Sequence, residues 1–377
     1  MSAPMARHTG AMSVDRVSAP QLVAPPVRAP RRPTFRIVLI AIVCVATAAL
    51  VIGKRDELSV AARAIRHAQT GWLLVGLLLS GAIVVNMAAL EAAAQRLFGV
   101  HRTLRRTIRL TARSHFLNLV TKSGGMAGVT VFNADSRRHG LSVHRTTAGY
   151  IIAEVAFHIG FTIVLIVSLP QLAHDHRLDA ANVIGLAVFV ALTVVFLGGV
   201  VAAGRSRESI RRLHAIPGVV HAWVARLLHR PDDSPTVDHH AADDLHDAVV
   251  LARRHRRGLA PLAVHSLLYP LIGVCLLWVS MHALRVDRGF HAALVGYCIA
   301  TVFSIIGILP AGLGFTEVSL AATLASYGIP SGKAVAVVCV YRVFDLWIPL
   351  AVGASAVRAR TAVVDAPQRT SDFAQRE

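Results

Sequence analysis

The chain has 377 residues, of which 54% are hydrophobic and 16% are charged, and its mean hydropathy is +0.56. Apolar stretches of about 20 residues, the length that a helix needs to cross a bilayer, recur along it and exclude an ordinary soluble domain. The 39 Lys and Arg residues outnumber the 21 Asp and Glu residues. Because the basic blocks flank apolar stretches and lack interleaved aromatic residues, they indicate cytoplasmic loops near anionic lipid, and we expect no nucleic-acid binding.

Residues 1–34 are rich in proline and arginine, a composition typical of a disordered tail. The first apolar span, 37–53, follows several arginines, so the positive-inside rule places the N-terminus in the cytoplasm. Residues 46–48 resemble a signal-peptide cleavage site, but the long segment before the span argues against that alternative. A second span covers about 71–94.

The first membrane half, residues 35–203, contains a segment at 107–139 that is apolar but interrupted by arginine and histidine. The glycine-rich sequence SGGMAG divides this segment. We predict a broken-helix hairpin that enters the membrane and returns to the cytoplasm. The next span, 146–169, carries Glu154, and 181–203 crosses back.

The longest polar connector, residues 204–258, contains basic blocks and an amphipathic helical pattern, which predict a cytoplasmic loop on the inner leaflet. The second membrane half, residues 259–357, has its own broken hairpin at 290–328. Two arginines near the end of the last span predict a cytoplasmic tail at 358–377. The four cysteines lie in apolar stretches without metal-ligand spacing, so we expect neither a disulfide framework nor a metal site.

The second break carries the stronger functional signal. The sequence PAGLG, residues 310–314, separates two apolar stretches, and Glu317 follows it. Arg342 and Asp345 lie within the last span. Non-helical backbone at membrane depth is tolerated only where it is buried in protein or lines a cavity, and ionisable residues there are costly. We therefore expect a functional site at this break.

The two broken segments align at one constant spacing. The positive-inside rule, applied to the basic residues beside each copy, gives the two copies opposite orientations in the membrane. This predicts an inverted repeat of the kind that transporters use to build a midplane site. Together the patterns predict an all-α polytopic membrane protein with about 6–8 transmembrane helices and two broken or re-entrant hairpins. The same separation along the chain pairs Gly124 with Gly312, Gly140 with Gly328, Ala148 with Ala336 and Glu154 with Arg342. The last pair is expected at similar depth on facing elements, as a functional or a purely structural pair.

Two groups of residues match a known family. They are Asn118, Ser123, Gly124, Gly125, Gly128 and Gly140 around the first break, and Pro310, Gly312, Gly314, Glu317, Gly328, Arg342, Pro349 and Gly353 around the second. On these residues, residues 70–357 of the chain resemble the membrane region of lysylphosphatidylglycerol synthases and their flippase-like relatives that lack the synthase domain.

The chain departs from this family in two places. Family members usually carry a proline near the first break, where this chain has Thr121-Lys122-Ser123. We therefore expect the backbone at the first break to be less rigid here. Bifunctional members append a soluble aminoacyl transferase domain, and only a short tail follows residue 360 here. We therefore expect no lysyl transfer and no enzyme activity. The resemblance implies movement or binding of an anionic or modified lipid headgroup.

Lipid translocation gives the charged residues defined tasks. Arg342 offers a bidentate fork to phosphate, and the helix N-termini after the two breaks offer free N–H groups. Glu154 and Glu317 are suited to neutralise a headgroup amine or to exchange with phosphate at Arg342, while Asp345 holds the guanidinium. No catalytic residue, cofactor or metal is predicted, and no ATP-binding GxxxxGK[ST] sequence occurs. The candidate headgroup-binding residues are Asn118, Ser123, Gly124, Gly125, Glu154, Pro310, Gly312, Gly314, Glu317, Arg342 and Asp345.

Two other functions stay open from the sequence. One is a non-transporting scaffold that supports an enzyme of cell-envelope lipid biogenesis. The other is a lipid-linked transferase with Glu154 or Glu317 as base and His158 or Asp345 assisting, although no carboxylate pair is close in sequence. In each case we expect a multi-pass protein of the cell membrane, with both termini cytoplasmic and anionic phospholipid as the main partner. The oligomeric state is not determined by these patterns.

Overall fold

The computed structural model describes residues 63–121, 125–174, 180–205, 256–307 and 309–364. These ranges belong to one unit of the chain, residues 54–377. The predicted first span, the N-terminal tail, and most of the long connector and of the C-terminal tail therefore lie outside the described residues.

Every regular element in these ranges is helical. The helices are α1 (Thr70–Leu97), α2 (Leu104–Thr121), α3 (Met126–Arg138), α4 (Val143–His174), α5 (Ala180–Arg205), α6 (Arg256–Ala283), α7 (Gly289–Ile306), α8 (Phe315–Ser326), α9 (Ser331–Arg342) and α10 (Ile348–Val364). A 3₁₀ turn, Pro310–Gly312, precedes α8, and a π-helical turn, Val343–Trp347, joins α9 to α10.

Five stretches of the described residues are long and apolar enough to cross a membrane. They are Thr70–Leu97, Val143–Pro170, Gly258–Ala283, Gly289–Ile306 and Ser331–Arg358. The outer faces of the helices are also apolar: Leu78 in α1 is 73% exposed and Val194 in α5 is 64% exposed. A soluble protein rarely presents so many large aliphatic side chains to water, whereas hydrocarbon accepts them. The prediction of an all-α polytopic membrane protein is confirmed.

The interior is built around α6 and α7. Helix α6 packs along α1 and against α4, and α7 packs against α8 and α5. Leu276, Leu277 and Val302 from these two helices are fully buried in the largest apolar cluster. These two helices therefore form the centre of the main apolar core among the described residues.

Two helix–break–helix units correspond to the predicted hairpins. The first is α2 followed by α3, and the second is α7 followed by the 3₁₀ turn and α8. Gly125 precedes α3 with a φ of 92°, and Gly314 precedes α8 with a φ of 84°. Glycine is needed at both positions because other residues rarely adopt positive φ angles. The two chain reversals thus begin in the same way.

The spacing found in the sequence recurs in the helix boundaries. The start of α4 at Val143 and the start of α9 at Ser331 are separated by the same interval as Gly124 and Gly312. When the bounds of α3 are shifted by this interval, they nearly coincide with those of α8. The hydrogen bonds that close α3 and α8 also correspond: His139 and Leu141 donate their N–H groups to Ser136 O, and Tyr327 and Ile329 donate theirs to Leu324 O. These correspondences involve backbone geometry that the sequence match did not use.

The packing between the two halves is reciprocal. Helix α2 of the first half packs on α10 of the second, and α7 of the second half packs on α4 of the first. Two halves related by a pseudo-two-fold axis exchange contacts in this way. The inverted orientation of the halves stays a prediction.

Candidate functional site

The side chain of Arg342, at the end of α9, reaches the backbone of the second break. Arg342 is 5% exposed. Its Nε donates a hydrogen bond of 2.6 Å to Glu317 Oε1, and its Nη2 donates one of 3.0 Å to the carbonyl oxygen of Ala311. Its Nη1 lies 3.5 Å from Asp345 Oδ2. The structure therefore brings together three of the charged residues that the sequence singled out.

The backbone of the break is shaped to receive this guanidinium. Ala311, with a φ of 58°, and Gly312, with a φ of 62°, both adopt left-handed conformations. A Cβ atom on Gly312 would lie 2.6 Å from Ser304 Cα, so only glycine allows α7 and the turn to approach this closely. Glu317 Oε2 accepts a hydrogen bond of 2.6 Å from the Gly314 N–H, which satisfies one free donor at the start of α8.

The π-helical turn Val343–Trp347 is a feature that the sequence did not reveal. Turns of this kind are rare and often occur at functional sites. The buried Ser80 hydroxyl in α1 donates a hydrogen bond of 2.6 Å to the carbonyl oxygen of Phe344 within the turn. This contact satisfies a backbone acceptor in the widened turn and fixes the segment that carries Asp345.

The first break is held by Asn118. Its Oδ1 accepts a hydrogen bond of 2.7 Å from the Gly128 N–H, and its Nδ2 donates one of 2.9 Å to the Tyr150 hydroxyl. A Cβ atom on Gly128 would collide with the side chains of Ser114, Tyr150 and Asn118. Asn118 therefore joins α2, α3 and α4, in addition to facing the cavity described below. Ser123 and Gly124 lie outside the described residues.

Two carboxylates line one cavity beside the first break. Glu91 in α1 is 5% exposed, and its Oε2 has no hydrogen-bond partner of normal geometry among the described residues. Glu154 in α4 is half-buried, and the Tyr150 hydroxyl interacts with it. Sequence reasoning found Glu154 but missed Glu91, because a single carboxylate near the end of an apolar span resembles an interfacial residue.

Two adjoining cavities connect the breaks. One, of about 150 Å³, is lined by Arg342 and Asp345, and the other, of about 280 Å³, is lined by Glu91 and Glu154. They share wall residues, among them Met87, His115, Phe157, Tyr269, Ser304 and Ala311. In the described structure Arg342 is paired with Glu317 and Asp345, which are nearer than Glu154. Glu154 and Arg342 thus face neighbouring parts of one space without forming an ion pair.

Two buried hydroxyl groups add to the Arg342 cavity. Thr111 in α2 and Thr316 in α8 both line it and are almost fully buried. Their Oγ1 atoms have no hydrogen-bond partner among the described residues. Because an unpaired buried polar group is costly, such groups need an explanation, and a bound polar ligand is one.

Another buried arginine, Arg102, lies outside the cavities, in the connector between α1 and α2. Arg102 donates hydrogen bonds to Asp135 Oδ2 at 3.0 Å, to Ser136 Oγ at 2.6 Å and to Gln95. Burial lowers the pKa of Arg102, and hydrogen bonding to Asp135 opposes that shift. Arginine nevertheless stays protonated in proteins. The basic connector therefore ties the end of α3 to α1, a structural task that charge counting alone did not predict.

The helices and their buried polar cavities define a multi-pass helical membrane protein with two broken hairpins. The sequence matches the family described as "Lysylphosphatidylglycerol synthase TM region" over residues 35–353, and the chain belongs to this family. The resemblance inferred from the residues around the two breaks is confirmed.

One curated relative is similar over a shorter stretch. A UPF0104 membrane protein of Methanothermobacter thermautotrophicus is 30% identical over 96 residues. The alignment covers 26% of this chain and 29% of the relative, so the chain matches less than a third of that protein's length.

Proposed function

We propose that the protein moves the headgroups of anionic or modified phospholipids across the cell membrane, with its two termini on the cytoplasmic side. The observation that carries this proposal is the pair of adjoining cavities between apolar helices, with Arg342 in one and two carboxylates in the other. Ionisable groups at membrane depth are costly, and proteins retain them chiefly for substrate or ion pathways.

The first cavity has the chemistry of a phosphate site. Arg342 supplies a planar fork of N–H donors that matches phosphate oxygens. The buried hydroxyls of Thr111 and Thr316 supply two further donors on the walls of the same cavity. A phosphate that enters competes with Glu317 for the guanidinium, while the Gly314 N–H remains to hold the released carboxylate.

The size of the cavities suits a headgroup and not a whole lipid. Their volumes of about 150 and 280 Å³ fall below or near the lower end of small-molecule sites. The acyl chains would stay in the bilayer while the polar part passes between the hairpins. Movement of one broken hairpin relative to the other would open the path to one leaflet at a time.

The contacts of Arg342 also fit the scaffold alternative. Glu317, Ala311 and Asp345 surround the guanidinium, as they would if its task were to hold the break closed. A buried ion pair of this kind is weak support for either role. The scaffold function requires that removal of the pair alter folding or partner binding without altering lipid movement.

The transferase alternative gains one observation. Its main weakness was the lack of a carboxylate pair close in sequence, and Glu91 and Glu154 line the same cavity. Two carboxylates in one cavity can serve as acid and base. We propose that the protein is nevertheless not an enzyme, because the pair lies beside a donor site suited to binding a headgroup intact.

The test is leaflet exchange in vesicles that contain the purified full chain and labelled phospholipids with several headgroups. Translocation predicts exchange above that of empty vesicles for at least one anionic headgroup, with every lipid recovered unchanged in mass. A lipid of altered mass would support the transferase. Absence of exchange for every headgroup would support the scaffold.

A further inference from the structure

We propose that Glu91 and Glu154 form a proton-binding site in the larger cavity, and that uptake of one proton by this pair accompanies entry of an anionic headgroup. This inference rests on the proposed translocation for its coupling, but the proton site itself can be tested without any lipid movement.

The geometry of Glu91 is the first argument. The residue lies near the end of α1, is almost fully buried and lines the cavity. Its Oε2 accepts no hydrogen bond of normal geometry among the described residues, and the Gln95 side chain, one helical turn further along α1, is the nearby donor that acts on the carboxylate. A proton on the carboxyl group removes the charge and turns an unsatisfied acceptor into a donor that can point into the cavity.

Within the described part of the chain, the two carboxylates lack an arginine or lysine counter-ion. Arg102 acts on Glu91 from a distance, but its guanidinium is bonded to Asp135, Ser136 and Gln95. A buried carboxylate without a nearby cation is costly to ionise, and a second carboxylate on the wall of the same cavity raises that cost, so we expect the two to hold a proton between them.

Other titratable groups face the pair from α2, α4 and α6, which pack against α1. His115 approaches from α2, Tyr150 and His158 belong to α4, Tyr269 belongs to α6, and Asp345 in the π-helical turn lies beyond Tyr269. His265 of α6 is bonded to the Asn86 side chain of α1. Among the described residues, the group on the wall of the larger cavity that can carry positive charge is a histidine, His115, which gains its charge by taking up a proton. Arg342 lies in the adjoining cavity, where Glu317 and Asp345 accompany it.

The coupling follows from charge. An anionic headgroup at Arg342 adds negative charge to a space that already holds two carboxylates, so its entry favours the protonated pair. By linkage the protonated pair favours entry of the headgroup to the same degree. On release, the carboxyl O–H bond breaks, the proton passes to water and a second carboxylate remains. Movement of anionic lipid should therefore accelerate as the pH falls.

The proton site is tested by infrared spectroscopy of the full chain in lipid nanodiscs, through the carbonyl band of protonated carboxyl groups. Wild type should show such a band at neutral pH that titrates with about one proton per chain. Glu91→Gln and Glu154→Gln should each remove it, whereas Asp287→Asn, a change of an exposed carboxylate, should not. A wild-type spectrum without the band would overturn the proposal, even if the variants do not fold.

The coupling is tested in vesicles at several pH values. Lipid exchange by wild type should rise with acidification, and the two glutamine variants, which mimic the protonated pair, should exchange at a rate that no longer depends on pH. Exchange with the same pH dependence in the variants would overturn the coupling. An infrared band without any lipid exchange would instead contradict the proposed translocation and leave the proton site intact.

Discussion

Glu317 holds two parts of the second break with its two carboxylate oxygens. Oε1 accepts a hydrogen bond from Arg342 Nε and Oε2 accepts one from the Gly314 N–H, both at 2.6 Å. One side chain therefore connects the start of α8 to the end of α9. Any movement that releases Arg342 to a ligand must change the first of these bonds and can leave the second in place.

Two replacements of Glu317 should distinguish the contributions of its two hydrogen bonds to stability. Glu317→Gln can keep the cap of α8 but removes the negative charge beside Arg342, and Glu317→Ala removes both. A charge-assisted hydrogen bond contributes about 2 kcal/mol and a helix cap about 1 kcal/mol. Both variants should melt at a lower temperature than wild type in detergent, with alanine the lower. Equal melting temperatures for all three proteins would contradict the described geometry.

Gly128 should tolerate no side chain. A methyl group there would collide with Ser114, Asn118 and Tyr150, the residues that join the first hairpin to α4. Gly128→Ala should therefore lower the melting temperature, and it should also lower lipid exchange because it displaces Asn118 at the cavity wall. Gly81→Ala is the matched control, since a Cβ atom at Gly81 in α1 would meet nothing within 4 Å. A wild-type melting curve for Gly128→Ala would contradict this packing.

Gly312 and Gly314 should differ although both have positive φ angles. Alanine at either position costs about 1 kcal/mol in backbone strain. At Gly312 the methyl group would also press on Ser304 Cα at 2.6 Å, whereas at Gly314 nothing lies within 4 Å. Gly312→Ala should thus destabilise the protein more than Gly314→Ala, as thermal melts of the two variants would show. The reverse order would mean that the turn is shaped differently.

Ser80 should matter through the π-helical turn. Ser80→Ala leaves the Phe344 carbonyl without its donor, at a cost of about 1 kcal/mol. The turn carries Asp345, so the variant should also lower the rate of lipid exchange. Ser355→Ala, a change of an exposed serine in α10, should alter neither quantity. An unchanged melting temperature and rate for Ser80→Ala would show that the turn does not depend on this contact.

Part of the site could be predicted from the sequence because its signals are local. The sequence PAGLG can hardly continue a helix, and charged residues within an apolar span stand out at once. Their joint occurrence was enough to predict that Glu317, Arg342 and Asp345 belong to one site. The helix–break–helix units likewise follow from glycines that interrupt apolar stretches.

The rest depends on contacts between distant parts of the chain. Glu91 has its meaning only through Glu154, which belongs to a different helix far along the sequence. Ser80 and Phe344 are separated by 264 residues, and nothing in either segment indicates a π-helical turn. The constant spacing between the two breaks suggested a pairing of Glu154 with Arg342, but local geometry gives Arg342 nearer carboxylates. Sequence spacing located both breaks but could not assign their partners.

Lipid movement through the Arg342 cavity is tested most directly by leaflet exchange of labelled anionic phospholipid in vesicles that carry wild type, Arg342→Ala or Arg342→Lys. Arg288→Ala is the control, because Arg288 is an arginine outside the cavities that bonds only to the Gly328 carbonyl in the described structure. All four proteins must first be shown to be folded at the assay temperature, because loss of the Arg342 contacts is itself expected to lower the melting temperature. If phosphate binds at Arg342, wild type and the control should exchange lipid, Arg342→Ala should lose exchange and Arg342→Lys should show at most weak exchange. Equal exchange by wild type and Arg342→Ala would contradict such binding.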